Sequence, residues 1–344
     1  MSAPQLEVVS PGAYASVQDR GRRGYRRVGV PWAGVLDPRL MRIANALVGN
    51  ADGTPVIECF DGGLQLVARG GAIRLALAGD AQLECELGGE RRKLIPWRSL
   101  TLADGDKLWV RRLERGRIAV IAVEGLALPA VLGSASTYAR AGLGGVDGQA
   151  LAAGSRLPAA PASARLEQML ADPPRPVTGP IRIVSGPQAD HFSDATRAAF
   201  ADTDYRVSTQ ADRMGLRLEG PRLTHLGARE IVSDATVPGS IQVPGNGLPI
   251  VLLADAQTAG GYPKIGTVIG ADLPRLAASP PGQLLRFAWV DASEGEQLAR
   301  ATEAATLALL RSVRALTAGG VDAAALYANN LVSGVLHALS PNGE

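Results

Sequence analysis

The chain has 344 residues, of which 46% are hydrophobic, and its formal net charge is +2. This length suggests two domains of roughly 100–200 residues each, and the composition supplies a sizeable core for both. The near-neutral charge balance gives no support to a general nucleic-acid role. The sequence shows neither a signal-peptide pattern nor a run of about 18 apolar residues, so we expect a cytoplasmic protein with no membrane partner.

The two cysteines, Cys59 and Cys85, each lie in an apolar, strand-like context without a histidine neighbour. A cysteine nucleophile needs a base partner, and neither position offers one. The pattern therefore favours reduced, partly buried thiols over a catalytic cysteine.

Residues 1–157 are predicted to form a domain of short strands and glycine-rich turns, interrupted by one helix. Asp37 is a good N-cap, Pro38 suits the first helical position, and Gly49 supplies the C-terminal stop. Apolar or alternating runs predict strands at residues 5–9, 73–77, 81–87, 107–111 and 118–123.

Residues 158–180 are rich in proline and alanine, which is typical of a linker that holds at most one short helix. A second domain follows at residues 181–292, with a short helix predicted at 193–200. Its strands are predicted at residues 181–184, 205–208, 217–219, 240–243, 249–253 and 285–290.

A C-terminal helical extension is predicted at residues 293–344. Ser293 begins a capping box that opens a long helix, and Gly319 with Gly320 should end it. A last apolar helix is predicted at residues 323–339. The predicted fold class is therefore mainly β with a few helices.

Several common active-site motifs are absent from the sequence. It has no P-loop and no metal-binding motif, and its three histidines are well separated, which argues against a histidine metal site. The run Gly142-Leu143-Gly144-Gly145 resembles a dinucleotide loop only superficially, because Asp147 stands where a third glycine is needed. We expect this chain alone to bind no cofactor and no metal.

One group of candidate residues is the run from Gln18 to Arg27, which includes Asp19 and Arg22. Glycines in this run let backbone N–H groups approach a ligand, and arginine binds carboxylate or phosphate through two parallel hydrogen bonds. An irregular loop whose polar side chains bond to backbone explains the same residues. A second, weaker group is residues 133–145, where hydroxyls and glycines could hold an anion, although ordinary turns explain it nearly as well.

The richest group of candidate residues lies between Asp212 and Tyr262. Its polar residues fall at strand ends and among glycines, where binding residues concentrate on a rigid β scaffold. Gln242 and Gln257 offer amide groups that suit another amide. Asp255 is a candidate acid or base, and Arg213 could offset charge that develops on an oxygen. Turn chemistry at barrel corners is the structural alternative.

These three groups, in this order, resemble the family that contains the C-subunit of bacterial 5-oxoprolinase. That family, often labelled allophanate hydrolase subunit 2, also contains KipA-type antagonists of a kinase inhibitor and the second half of the urea carboxylase carboxyltransferase domain. The likeness covers about residues 5–292. Its motifs include Gln18-Asp19, Gly21-Arg22, Gly133-Ser134, Ser136-Thr137-Tyr138, Gly144-Gly145, Asp212-Arg213-Met214-Gly215, Ile241-Gln242-Val243-Pro244, Gln257-Thr258 and Gly260-Gly261-Tyr262-Pro263.

The resemblance implies two cyclophilin-like β-barrel units, a KipI-type partner (the B-subunit of 5-oxoprolinase) and, for 5-oxoprolinase, a LamB/YcsF-type A-subunit. The implied reaction is ATP-dependent opening of the 5-oxoproline lactam to glutamate. The ATP chemistry must be shared with the partners, because this chain has no nucleotide loop. The candidate catalytic residues are Asp255, Gln257 and Arg213, and the candidate substrate-binding residues are Gln242, Thr258, Tyr262, Gln18, Asp19 and Arg22.

Two other functions stay open at the level of sequence. The chain could be a carboxyltransferase component that acts on urea-like amides, with carboxybiotin supplied in trans because no biotinylation site is present. It could instead be a non-catalytic regulator that binds a KipI-type kinase inhibitor. Departures from the family pattern favour the regulator, since arginine is expected where Ala135, Gln149 and Ala256 stand and threonine is expected at Ala259.

Overall fold

The computed structural model describes residues 3–316, and this part of the chain is mainly β with four α-helices. The fold class predicted from the sequence is confirmed at that level. Within residues 3–316, no helix is both long enough and apolar enough to span a bilayer.

The helices are α1 (Pro38–Val48), α2 (Asp194–Asp202), α3 (Leu273–Ala277) and α4 (Ala292–Arg311), with 3₁₀ turns at Arg26–Val28, Ala139–Ala141 and Ala189–His191. The strands are β1 (Gln5–Pro11), β2 (Tyr14–Gln18), β3 (Val56–Phe60), β4 (Leu64–Arg69), β5 (Ile73–Ala78), β6 (Ala81–Leu87), β7 (Glu90–Leu94), β8 (Arg98–Leu102), β9 (Lys107–Leu113), β10 (Ile118–Val123), β11 (Arg156–Pro158), β12 (Gln168–Leu170), β13 (Ile181–Ser185), β14 (Tyr205–Asp212), β15 (Gly215–Glu219), β16 (Asp234–Ala235), β17 (Ser240–Gln242), β18 (Ile250–Leu252), β19 (Ala259–Gly260), β20 (Lys264–Val268), β21 (Leu284–Leu285), β22 (Phe287–Trp289) and β23 (Val313–Ala315).

The first half of the chain, joined by β23 from the end of the described residues, forms two sheets around a shared core. One sheet has the strand order β11-β1-β4-β9-β6-β7, and the other has the order β2-β3-β10-β5-β8-β12-β23. Strand β10 is buried along its whole length. Because side chains alternate along a strand, Ala119 and Ile121 face the core between the sheets, whereas Val120 and Ala122 pack towards α1.

Helix α1 begins and ends where its caps predict. The Asp37 carboxylate accepts hydrogen bonds from the backbone N–H groups of Arg39 and Leu40, and Pro38 takes the first helical position. Gly49 ends the helix in the left-handed region, at φ 77°.

The second half forms an eight-stranded sheet with the order β21-β14-β15-β18-β17-β20-β13-β22, in which only the β13–β22 pair is parallel. Its core also takes in Leu36, Phe60 and Ile118 from the first half, so the two halves share buried apolar surface. At the start of α3, the buried Asp272 accepts hydrogen bonds from Arg182 at 2.6 Å and from Arg275 at 2.8 Å.

The segment 158–180, predicted as a linker with at most one short helix, also contains a strand that the sequence did not predict. It contains β12 and no helix, and β12 pairs with both β8 and β23. Leu170 is buried against α1, so apolar contact and backbone pairing hold this stretch in a sheet. The domain boundaries at 157, 180 and 292 stay a prediction.

Helix α4 differs from its predicted limits at both ends. Its N-cap is Asp291 instead of Ser293, and the Asp291 carboxylate accepts a hydrogen bond from the N–H of Glu294 at 2.8 Å. The helix ends at Arg311, before Gly319, because the next residues pair with β12 as strand β23. The helix predicted at residues 323–339 lies outside the described residues.

Candidate functional site

A cleft surrounds the turn between β14 and β15, residues 212–215, where the two halves of the chain meet. One cavity of about 280 Å³ is lined by both halves, with Tyr14 and Tyr138 on its wall, and we call it the tyrosine cavity. A second cavity of about 620 Å³, the glutamine cavity, is lined by Gln242, Gln257 and Tyr262 among others. Its size is typical of small-molecule sites. Both cavities are lined by Arg140, Ala211, Asp212 and Met214.

A buried ion cluster on Arg213 connects the two halves beside the tyrosine cavity. The guanidinium binds both carboxylate oxygens of Asp255, at 2.9 and 3.1 Å, and it also forms an ion pair with Glu58 of β3. A further bond reaches the carbonyl oxygen of Gly34 at 2.6 Å. Arg213 and Asp255, two members of the same candidate group, therefore lie in contact, with their charged groups already engaged.

The cluster holds two carboxylates and one cation in a buried space. Burial raises the pKa of Glu58, an effect that Arg213 opposes only in part. Burial acts against the charge on Arg213, but the carboxylates of Asp255 and Glu58 outweigh it and raise the Arg213 pKa. Glu58 is not among the predicted site residues, because a single acid in an apolar strand gives no signal of its partner 155 positions away.

The two glutamines of the glutamine cavity bond to each other. The Gln257 side-chain amide donates to the side-chain oxygen of Gln242 at 3.1 Å. Gln242 is 2% exposed, and its Nε2 atom has no hydrogen-bond partner among the described residues. Gly260 lies so close that a Cβ atom there would stand 2.3 Å from this nitrogen. A buried amide donor without a partner favours a ligand or an ordered water at this position.

A buried lysine lies opposite Gln242 on the neighbouring strand. Lys264 pairs directly with Gln242 in the β17–β20 ladder and is 1% exposed. Its ammonium group binds Asp234 at 2.9 Å, and this hydrogen bond, with one from Gln188, lowers the pKa of Asp234 to about 2. No sequence pattern indicates the ion pair between Lys264 and Asp234, since the two residues lie on separate strands.

The cysteines lie buried and unpaired. Burial raises the pKa of the Cys59 thiol to about 12, which keeps it protonated near neutral pH.

The predicted residues Gln18, Asp19 and Arg22 do not line either cavity. Gln18 is fully buried, with its amide nitrogen bonded to the Thr137 carbonyl and its oxygen to the Gly34 N–H. The fully buried Arg22 binds carbonyl oxygens of the loop at 131–136.

Asp19 holds the same loop by its carboxylate. It accepts hydrogen bonds from the hydroxyls of Ser134 and Ser136, each at 2.6 Å, and from the Ala135 N–H at 2.7 Å. All three side chains therefore hold the loop at 131–137, as the structural alternative describes, and their part in substrate binding stays a prediction.

That supported loop supplies the first-half wall of the cleft. It continues into Tyr138, which lines the tyrosine cavity, and into Arg140, which lines both cavities from the Ala139–Ala141 turn. Arg140 is not among the predicted site residues, because one exposed arginine in a loop has no distinguishing sequence signal.

Of the two remaining predicted substrate-binding residues, Tyr262 and Thr258, only Tyr262 lines a cavity. Tyr262 is 38% exposed and lines the glutamine cavity. Thr258 is half-buried and does not line either cavity. Its carbonyl oxygen accepts a hydrogen bond from the backbone N–H of Thr236.

Comparison with known proteins gives the family. The family model described as "Carboxyltransferase domain, subdomain A and B" matches residues 28–289 of this chain. This chain belongs to that carboxyltransferase family. It is 38% identical to the 5-oxoprolinase C-subunit of Escherichia coli over 82% of this chain and 90% of that protein. It is 34% identical to the 5-oxoprolinase C-subunit of Haemophilus influenzae, over 87% and 95% of the two chains.

A solved structure supports the same family. The urea amidolyase of K. lactis superposes with a TM-score of 0.80 at 26% identity, covering 90% of this chain. The match takes up 20% of the urea amidolyase chain, so this carboxyltransferase family member spans about a fifth of that larger protein.

Proposed function

We propose that this carboxyltransferase family member is the C-subunit of a 5-oxoprolinase, which opens the lactam of 5-oxoproline to glutamate with ATP. The proposed complex includes one KipI-type and one LamB/YcsF-type protein, and it works in the cytoplasm. The observation that carries the proposal is the 38% identity to a 5-oxoprolinase C-subunit across 90% of that protein's length. We further propose that both halves are cyclophilin-like units.

The chemistry of the glutamine cavity supports this substrate class. A lactam presents one N–H donor and one carbonyl acceptor, and the Gln242–Gln257 pair offers one unengaged donor and further acceptor capacity beside the cavity. An amide substrate can therefore exchange hydrogen bonds with the pair. In this proposal Arg213 and Asp255 act as positioning residues, since their ion pair fixes the turn between the two cavities.

The test is reconstitution of the complex. The purified chain is mixed with both partner proteins, and ATP-dependent glutamate formation from 5-oxoproline is measured. We expect Gln257→Ala to lower the rate strongly and Gln82→Ala, a matched change on the exposed face of β6, to leave it unchanged. Activity that survives Gln257→Ala would remove the site assignment. No activity with the full partner set would favour the non-catalytic regulator of a KipI-type protein.

A second candidate function is transfer of a carboxyl group from carboxybiotin, supplied on another protein, to a urea-like amide. The family description and the similarity to urea amidolyase favour it. The glutamine pair suits urea as well as a lactam. Carboxylation of urea by the chain with a carrier that bears carboxybiotin, and none of 5-oxoproline, would support this candidate.

A further inference from the structure

The carboxylates around the cleft are already engaged. Asp255 pairs with Arg213 at 2.9 Å, and Asp61 pairs with Arg117 at 2.7 Å. The carboxylate of Asp212 accepts hydrogen bonds from the backbone of its own turn, at 2.8 and 3.3 Å. Each carboxylate that lines the two cavities is therefore already hydrogen-bonded within the chain.

Two arginines of the cleft have no such partner among residues 3–316. Arg140 and Arg217 both line the glutamine cavity and are exposed, and neither side chain forms a hydrogen bond or an ion pair with another residue between 3 and 316. The charges of the cleft that form no ion pair among the described residues are therefore positive, which suits an anionic ligand.

Arg140 has the better position of the two for a ligand held by the glutamine pair. It belongs to the first half of the chain and lines both cavities, whereas Arg217 lies on β15 and lines only one. Two backbone hydrogen bonds between Tyr138 and Leu143, at 2.8 and 3.2 Å, close the turn that carries Arg140.

The base of the Arg140 loop has little freedom to move. Gly144 lies against the Arg22 guanidinium and the Ser136 carbonyl, and a Cβ there would meet these atoms at 2.4 and 2.1 Å. A fixed loop removes the cost of ordering the backbone when Arg140 binds a carboxylate, and the planar guanidinium fork loses less side-chain entropy per hydrogen bond than a lysine ammonium.

We infer that Arg140 binds the carboxylate of the substrate and thereby selects a carboxylate-bearing lactam over neutral amides. This inference rests on the proposed function, which places a lactam at the glutamine pair. It also separates the two candidate functions, because urea has no carboxylate for Arg140 to bind.

The test compares Arg140→Gln with the matched variant Arg217→Gln in the reconstituted complex. Because a hydrogen-bonded charge pair is lost, we expect Arg140→Gln to raise the KM for 5-oxoproline about tenfold or more, with a smaller change in kcat and none in the KM for ATP. Arg217→Gln should raise this KM much less. Equal effects of the two variants would show general electrostatic attraction and overturn the inference, as would a change in the KM for ATP alone.

A binding measurement distinguishes failure of this inference from failure of the proposed function. Calorimetric titrations of the complex use 5-oxoproline, 2-pyrrolidinone (the same lactam without the carboxylate) and inorganic phosphate. We expect a preference for 5-oxoproline over 2-pyrrolidinone that Arg140→Gln removes. A complex that shows this preference without turnover would refute the proposed function alone. The absence of the preference, or a preference for phosphate that depends on Arg140, would refute the role of Arg140.

Discussion

Replacing Arg213 by methionine should destabilise the protein severely, because it removes the one cation from a buried cluster. The Arg213 side chain is 5% exposed, and its partners Glu58 and Asp255 are 0% and 11% exposed. In Arg213→Met these two carboxylates would remain buried without a counter-ion. Folding would then require either two desolvated negative charges or the uptake of protons.

The expected loss follows from this geometry. Removing one partner of a buried ion pair costs about 3–5 kcal/mol, a large part of the roughly 5–15 kcal/mol that stabilises a typical domain. At about 2–4 °C per kcal/mol, the Tm should fall by about 6–20 °C. Urea unfolding followed by tryptophan fluorescence measures the free energy of unfolding. The matched control is Arg20→Met, which breaks the exposed Arg20–Asp52 pair and should cost about 0–1 kcal/mol.

The effect of pH gives this prediction a second signature. Without Arg213 the pKa of Glu58, already raised by burial, should rise further. A raised folded-state pKa contributes stability that is present at low pH and is lost as pH rises through it. The deficit of Arg213→Met should therefore be smaller at pH 5 than at pH 7. A loss as small as that of Arg20→Met, or a deficit independent of pH, would contradict the reasoning.

Three further predictions concern single residues. Burial alone would raise the pKa of Asp272, but hydrogen bonds from two arginines outweigh it and hold the pKa below the ordinary value. The stability that this group contributes should be lost as pH falls below about 4. Urea titrations should therefore show a free energy of unfolding that depends less on pH in Asp272→Asn. Gly260→Ala should displace the buried Gln242 amide and lower activity more than stability, whereas Gly270→Ala, which enters open space, should change neither. Asp19→Ala should cost about 1–3 kcal/mol in urea unfolding, since several buried donors lose their acceptor; unchanged stability would mean that the loop does not depend on this carboxylate.

The site is only partly predictable from sequence. The amide chemistry of Gln242 and Gln257 marks them as candidates, and the fold brings them within 3.1 Å of each other beside a cavity. Gln18 and Asp19 are candidates because they lie in a run rich in glycine and arginine that matches the family motif, yet their side chains bond within the protein. Residue type shows what a side chain can bind but leaves open whether neighbours in the fold already bind it.

The sequence by itself determined the local structure of several elements whose signals are local. Asp37 and Gly49 mark the limits of α1, because caps satisfy backbone groups within one turn of the helix. Strand β10 follows from its continuous apolar run, which is buried on both faces. The tertiary structure decided what depends on distant neighbours: the pairing of β12 with β23, the ion cluster on Arg213 and the position of Arg140 at both cavities. Each depends on contacts between segments far apart in the chain, and short sequence patterns carry no information about such contacts.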